Sequence, residues 1–120
     1  MVIGTARIVL GIWGNDSLKG KRKVVRRVID RVRHRFNVAV AEVADMDEHR
    51  RAVLGFAVVS NSERHATSMI DTIIAQVRLS TDAPIMEQRM EILHVGKGLE
   101  EDWDLDAEEA LLEGEESARR

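Results

Sequence analysis

Residues 17–43 constrain the fold of this chain most strongly, because they join an amphipathic helix to a short apolar strand. Apolar residues from 18 to 36 recur at spacings of 3, 4 and 7, which places them in one stripe about 100° wide on a helix. Between 19 and 35, nine residues are Lys or Arg and one is acidic, Asp30. Such a helix packs one side on a core and presents positive charge on the rest. The stripe contains Leu18, Val25, Val28, Ile29, Val32 and Phe36.

Four strand-like segments and a second helical stripe surround this feature. Residues 2–13 and 52–60 alternate in polarity, 38–43 is short and rich in Val and Ala, and 85–95 has the mixed polarity of an edge strand. The order βαββαβ predicts an α+β, ferredoxin-like fold, with a four-stranded antiparallel sheet and both helices on one face. Asn and Ser at 61–62 are suitable N-caps for the second helix. Its stripe contains Ala66, Met69, Ile70, Ile73, Ile74 and Val77.

The charge distribution divides the chain near residue 97. Residues 1–97 carry 16 basic and 11 acidic side chains, a net charge of +5, whereas 98–120 carry 2 basic and 10 acidic, a net charge of −8. We therefore expect one folded domain over 1–97, followed by an acidic tail over 98–120 that is disordered or conditionally helical. Three interpretations of the tail remain open: a solubility segment, a decoy that folds back on the basic helix, or a docking segment for a partner.

Several function classes find no support in the sequence. The chain has no Cys, its four His lack metal-ligand spacing, and no nucleophile elbow or phosphate-binding loop is present. No segment approaches the roughly 18 apolar residues of a membrane span, and the first residues lack the basic start of a secretory signal. We therefore expect a cytoplasmic, non-enzymatic protein without a metal, a cofactor, a small-molecule substrate or a membrane partner.

The basic helix predicts contact with a polyanion, and RNA is the first choice. Ordinary exposed helix faces mix charges of both signs, because opposite charges three or four residues apart attract. This helix carries almost only positive charges, which favours a bound anion. A charged face that simply contacts solvent remains the alternative interpretation. Lys and Arg contact phosphates without reading sequence, and the charged face of the helix carries no aromatic side chain for base stacking, so structured RNA is the expected target. The predicted RNA-binding residues are Lys19, Arg22, Lys23, Arg26, Arg27, Arg31 and Arg33.

Three individual side chains receive structural interpretations. Phe56 is expected in the core, which together with the absence of Tyr argues against recognition by aromatic side chains on the sheet. Trp13 is expected to pack in the core or at its rim, and a contact to a partner is the alternative. Glu42 is expected to form a structural ion pair with a base, such as Arg7 or an arginine of the helix.

Several short motifs of the chain are characteristic when they are taken together. They are Ser17-Leu18-Lys19, Lys21 to Val25, Arg35 to Val43, Ala52, Gly55 and Ala57 to Asn61. With these motifs the chain resembles the YlxP-like family of small bacterial proteins. The resemblance covers about residues 2–95 and departs in the loop at 47–52, where relatives often carry an apolar pair. It implies a ferredoxin-like fold and no established enzymatic activity. The genes of that family commonly lie beside translation-initiation and ribosome-maturation factors, which implies a role in translation or ribosome assembly, with rRNA or a ribosomal particle as the partner.

A protein-interaction module is the alternative hypothesis. A ferredoxin-like sheet leaves one face without helices, and small side chains on that face would let two sheets stack in a homodimer. The residues expected there are Ala39, Ala41 and Val43.

Overall fold

The predicted ferredoxin-like fold is confirmed in a computed structural model, which describes residues 1–14 and 16–96. Its four strands form one antiparallel sheet in the order β2-β3-β1-β4, and the two helices pack on one side of it. The acidic tail predicted over 98–120 lies outside the described residues. The six elements are β1 (Val2–Gly11), α1 (Leu18–Arg35), β2 (Ala39–Ala44), β3 (Arg51–Ser60), α2 (Glu63–Ser80) and β4 (Ile85–His94).

Both helices begin at a serine N-cap. The Oγ atom of Ser17 accepts a hydrogen bond from the backbone N–H of Gly20 at 3.1 Å, and Ser62 Oγ accepts one from His65 N–H at 3.3 Å. Each bond satisfies one of the backbone donors that a helix leaves unpaired in its first turn. α1 ends at Arg35, because Phe36 adopts an extended backbone that cannot continue the helix.

The core lies between the sheet and the two helices. Alternate residues of β1 and β3 enter it, among them Ile8, Leu54 and Phe56, and Phe56 is only 3% exposed as predicted. Burying one side chain of this size contributes about 1.5–3 kcal/mol relative to leaving it exposed. α2 approaches β1 closely at Gly4, where a Cβ atom would lie 3.1–3.3 Å from side chains of β3 and α2.

The opposite face of the sheet carries no helix. The cross-strand partners Val9 and Val53 are buried on this face, outside the main core. Elsewhere the face mixes charged side chains such as Arg7 with exposed apolar ones such as Val43 and Val59. No helix within the described ranges is both long enough and apolar enough to cross a bilayer.

Candidate nucleic-acid interface

α1 points most of its basic residues away from the sheet. All seven predicted RNA-binding residues are exposed, and no carboxylate of the described residues lies within 4.0 Å of their charged nitrogens. Six of them, all but Arg33, whose guanidinium binds a carbonyl oxygen of β2, form the set that we call the cationic face. Its charges are available to an external anion, because no ion pair within residues 1–14 and 16–96 occupies them. The cationic face consists of Lys19, Arg22, Lys23, Arg26, Arg27 and Arg31.

Helical spacing brings the cationic face together. Five of its members, all but Arg22, line a shallow groove of about 810 Å³ along α1, and the single acid Asp30 lies among them. Side chains three or four residues apart on a helix are neighbours, so these cations repel one another at a cost of a few tenths of a kcal/mol per pair. An anion bound in the groove would relieve that repulsion. Phosphate oxygens are suitable ligands, since they accept charge-assisted hydrogen bonds from Lys and Arg.

Lys21 does not belong to the cationic face, although the sequence count included it among nine positive charges. Its side chain is fully buried, and Nζ lies 2.7 Å from Oε1 of Glu42 on β2. The sequence contained a signal for this position, because Lys21 precedes Val25, Val28 and Val32 by 4, 7 and 11 residues and so lies on the apolar stripe. The predicted pairing of Glu42 with a base is confirmed, but the base is Lys21 of the helix and neither Arg7 nor a helix arginine. Arg7 lies on the opposite face of the sheet, 3.6 Å from Glu87 of β4.

The buried ammonium group also anchors the loop between β2 and β3. Lys21 Nζ donates hydrogen bonds to the carbonyl oxygens of Asp45 (2.6 Å), Met46 (3.3 Å) and Glu48 (2.7 Å). The ammonium group of Lys21 has three N–H donors, and four oxygens surround it: three carbonyls and Oε1 of Glu42. Within the described residues Oε1 of Glu42 receives no hydrogen bond of normal geometry, so its attraction to Lys21 is electrostatic. At the exposed side of this loop, a hydrogen bond from the backbone N–H of Arg50 lowers the pKa of Glu48.

Arg33 and Arg35 turn towards neighbouring elements. Nη2 of Arg33, a predicted RNA-binding residue, donates to the carbonyl oxygen of Val40 at 3.0 Å. This bond satisfies a backbone acceptor on β2, which is an edge strand with one unpaired side. Nη1 of Arg35 donates to Oε1 of Gln76 on α2 at 2.6 Å. Arg33 thus lies at the border of the cationic face with its guanidinium already engaged.

Trp13 is exposed, although core or rim packing was the prediction from the sequence. Its side chain is 66% exposed, and one edge of the indole rests on Gly11, where a Cβ atom would lie 2.8 Å from Cζ2. The ring borders a cleft of about 580 Å³ between the end of β1, α1 and the end of α2. Arg27 and Arg31 line the same cleft, so the cationic face continues to an aromatic side chain.

The helix-free face of the sheet has its own shallow depression, of about 710 Å³. Ala39, Ala41 and Val43 line it together with Gly55 and other residues of β1, β3 and β4. All three predicted residues are exposed on this face. Among the described residues no group of three or more His, Asp or Glu is arranged to hold a metal ion.

Comparison with known proteins gives a family but no activity. A family model described as protein of unknown function (DUF503) matches residues 3–90. The chain is also similar to an uncharacterized protein, YlxP, of Bacillus subtilis (strain 168). The two sequences are 34% identical over 74 residues, which span 62% of this chain and 80% of that protein.

Similar solved structures include two designed proteins. One is a de novo designed ferredoxin fold, with a TM-score of 0.49 and 19% identity, covering 88% of this chain and 93% of the other. The second is the de novo designed protein Foldit4, with a TM-score of 0.44 and 12% identity, covering 78% of this chain and 96% of the other. Neither says anything about function.

Proposed function

This chain belongs to the DUF503 family of proteins of unknown function, and we propose that it is a non-enzymatic accessory factor of translation or ribosome assembly. In this proposal it binds structured RNA, with rRNA as the first candidate, in the bacterial cytoplasm. The cationic face carries the proposal, because six exposed basic side chains on one helix lack carboxylate partners in the described chain. The gene neighbourhood implied by the YlxP-like resemblance supports the biological setting.

The chemistry of the cationic face favours the RNA backbone over the bases. From Lys19 to Arg31 the face extends ~18 Å along α1, which is enough for several phosphates. Its side chains are all Lys or Arg, which bind phosphate as charges and hydrogen-bond donors and need no particular sequence. Each neutralised phosphate releases counterions, so six contacts predict a slope of log affinity against log salt of roughly −4 to −5.

The test is crosslinking of the full chain to RNA in cells, followed by sequencing of the bound fragments. We expect recovery of rRNA at defined positions. A charge-reversed variant, Arg26→Glu with Arg27→Glu, serves as the control and should lose those positions. A fragment pattern that merely follows transcript abundance, and that the variant leaves unchanged, would contradict the proposal.

Homodimerisation through the open sheet face is the second candidate function. The supporting observation is the depression over β2 and β3, where the side chains of Ala39, Ala41 and Gly55 are small enough for a second backbone to approach. Arg7 and Arg89, which face each other across β1 and β4, restrict such stacking to the β2–β3 half because their charges resist burial. Light scattering at increasing protein concentration tests this candidate. A dimer that Ala41→Arg dissociates would support it, and a monomer throughout would reject it.

A further inference from the structure

We propose that the cleft beside Trp13 holds one unpaired nucleotide of the bound RNA, with the base against the indole and the adjacent phosphate between arginines. This inference rests on the proposed RNA-binding function and extends it, since the cationic face alone offers no contact to a base. It assigns a role to the exposed Trp13, and it predicts that the protein prefers RNA in which at least one nucleotide is unstacked from its helix.

Trp13 is positioned as a stacking platform. Two-thirds of its side chain is exposed, although burial of an indole is strongly favourable. One edge of the ring packs on Gly11, because any side chain there would collide with Cζ2 and Cε2 at 2.8 and 3.0 Å. Met86 of β4 lies beside the same position, since its Cγ would be 3.1 Å from that Cβ atom. A supported aromatic ring with an open surface is what single-stranded RNA uses for stacking.

Three arginines from two helices line the same cleft. Arg27 and Arg31 lie one turn apart on the side of α1 that faces α2, and Arg78 comes from the last turn of α2. Nη2 of Arg78 donates to Oε1 of Gln88 at 3.0 Å, which fixes its guanidinium at the rim. Guanidinium groups bind phosphate with paired hydrogen bonds, so the α1 side of the cleft is suited to a phosphate.

The other side of the cleft offers acceptors. Asp82 lies there, and the last carbonyl groups of α2 are oxygens that the helix itself leaves without N–H partners. These groups would repel a phosphate but accept hydrogen bonds from a base amino group or a ribose hydroxyl. The cleft therefore offers arginine donors for the phosphate of a nucleotide and oxygen acceptors for its base or ribose.

The size and combination of groups favour a nucleotide over other occupants. A volume of about 580 Å³ lies within the range of small-molecule sites, roughly 300–1,000 Å³. A free phosphate would use the arginines and leave Trp13 without a role. An apolar peptide would use Trp13 and Leu79 and leave three arginines desolvated without partners. An acidic peptide is the strongest competitor, and the experiment includes it.

The experiment uses the full chain carrying Trp103→Phe, so that Trp13 is its single tryptophan. Two RNAs of equal length are titrated at low salt, one a fully paired duplex and the other a hairpin with an unpaired loop. We expect the hairpin to quench Trp13 fluorescence and the duplex to leave it unchanged. Affinities of the Trp13 variants, which have no tryptophan, are measured instead by the anisotropy of a dye-labelled RNA. Adding Trp13→Ala should weaken hairpin binding about tenfold and change duplex binding less than twofold. Trp13→Phe, which keeps a stacking surface, should restore most of the difference.

Val59→Ala is the matched control, because Val59 has the same exposed fraction, 66%, on the helix-free face of the sheet. It should leave both affinities unchanged. Equal binding of duplex and hairpin, without quenching, would overturn the nucleotide site while the proposed RNA-binding function stands. No binding of either RNA would overturn both. A synthetic peptide of residues 98–120, also carrying Trp103→Phe, that quenches Trp13 and displaces the hairpin from it would identify an acidic peptide as the occupant instead.

Discussion

Nζ of Lys21 lies 2.7 Å from Oε1 of Glu42, and the lysine side chain is fully buried. The pair joins the first turn of α1 to β2, and the same ammonium group binds three carbonyl oxygens of the following loop. Charges taken out of water are expensive, and they are tolerated only where partners surround them. The arrangement therefore fixes the orientation of α1 on the sheet, and with it the direction in which the cationic face points.

Lys21→Met should destabilise the fold by about 3–5 kcal/mol, because it leaves the carboxylate of Glu42 and the loop carbonyls without their cation. The free energy of unfolding in urea measures this change. Lys23→Met, two residues along and exposed, is the control and should remain within about 0.5 kcal/mol of the parent chain. The double variant Lys21→Met with Glu42→Leu should lose less than the sum of the two single variants, since the two residues are in contact. Additive losses would show that the pair is not coupled.

Reversing charge at Arg26 and Arg27 should weaken RNA binding and lower the magnitude of the salt slope by roughly 2, because two phosphate contacts are lost. Affinity for a hairpin RNA, measured by fluorescence anisotropy across a series of salt concentrations, gives the slope. The double variant Arg50→Glu with Arg64→Glu changes net charge equally but lies outside α1. If it lowered the slope as much as the α1 variant, the cationic face would not be the site.

Removing residues 98–120 should tighten RNA binding at low salt. The deletion takes away a net charge of −8 and leaves residues 1–97 at +5. Because the Debye length is about 10 Å at 0.1 M salt, the gain should shrink as salt rises. A tail of unchanged length with its acids replaced by Asn and Gln separates charge from length, and it should behave like the deletion. Equal affinities of all three chains at low salt would exclude the tail as an electrostatic competitor.

Gly4→Ala should destabilise the fold by about 1–3 kcal/mol, since the new Cβ would meet Val58, Ile70 and Ala66 at 3.1–3.3 Å in a packed layer. Thermal and urea unfolding both report this change. Gly55→Ala is a useful comparison, because its Cβ would meet only the side chain of Val43, which is half exposed and free to shift. The substitution at Gly4 should therefore be clearly the more harmful. Similar losses at both positions would mean that α2 does not pack on Gly4 as described.

Much of the fold was predictable because its signals are local. Alternating polarity identified the two central strands, and stripes at helical spacing identified both helices. The edge position predicted for the last strand is confirmed by the sheet order. The candidate site was predictable in part. Its six exposed cations follow from spacing along one helix, whereas the engagement of Arg33 with Val40 depends on where β2 lies.

The sequence by itself determined the order of the elements, the sides that they bury and the concentration of positive charge on α1, because periodicity acts between residues a few positions apart. Only the tertiary structure decided what individual charges and rings do. Lys21 enters the core because β2 and its loop bring Glu42 and three carbonyls to one point. Trp13 lines the same cleft as Arg27, Arg31 and Arg78 because β1, α1 and α2 converge at one end of the sheet. Those contacts join residues far apart in the chain, and no local pattern encodes them.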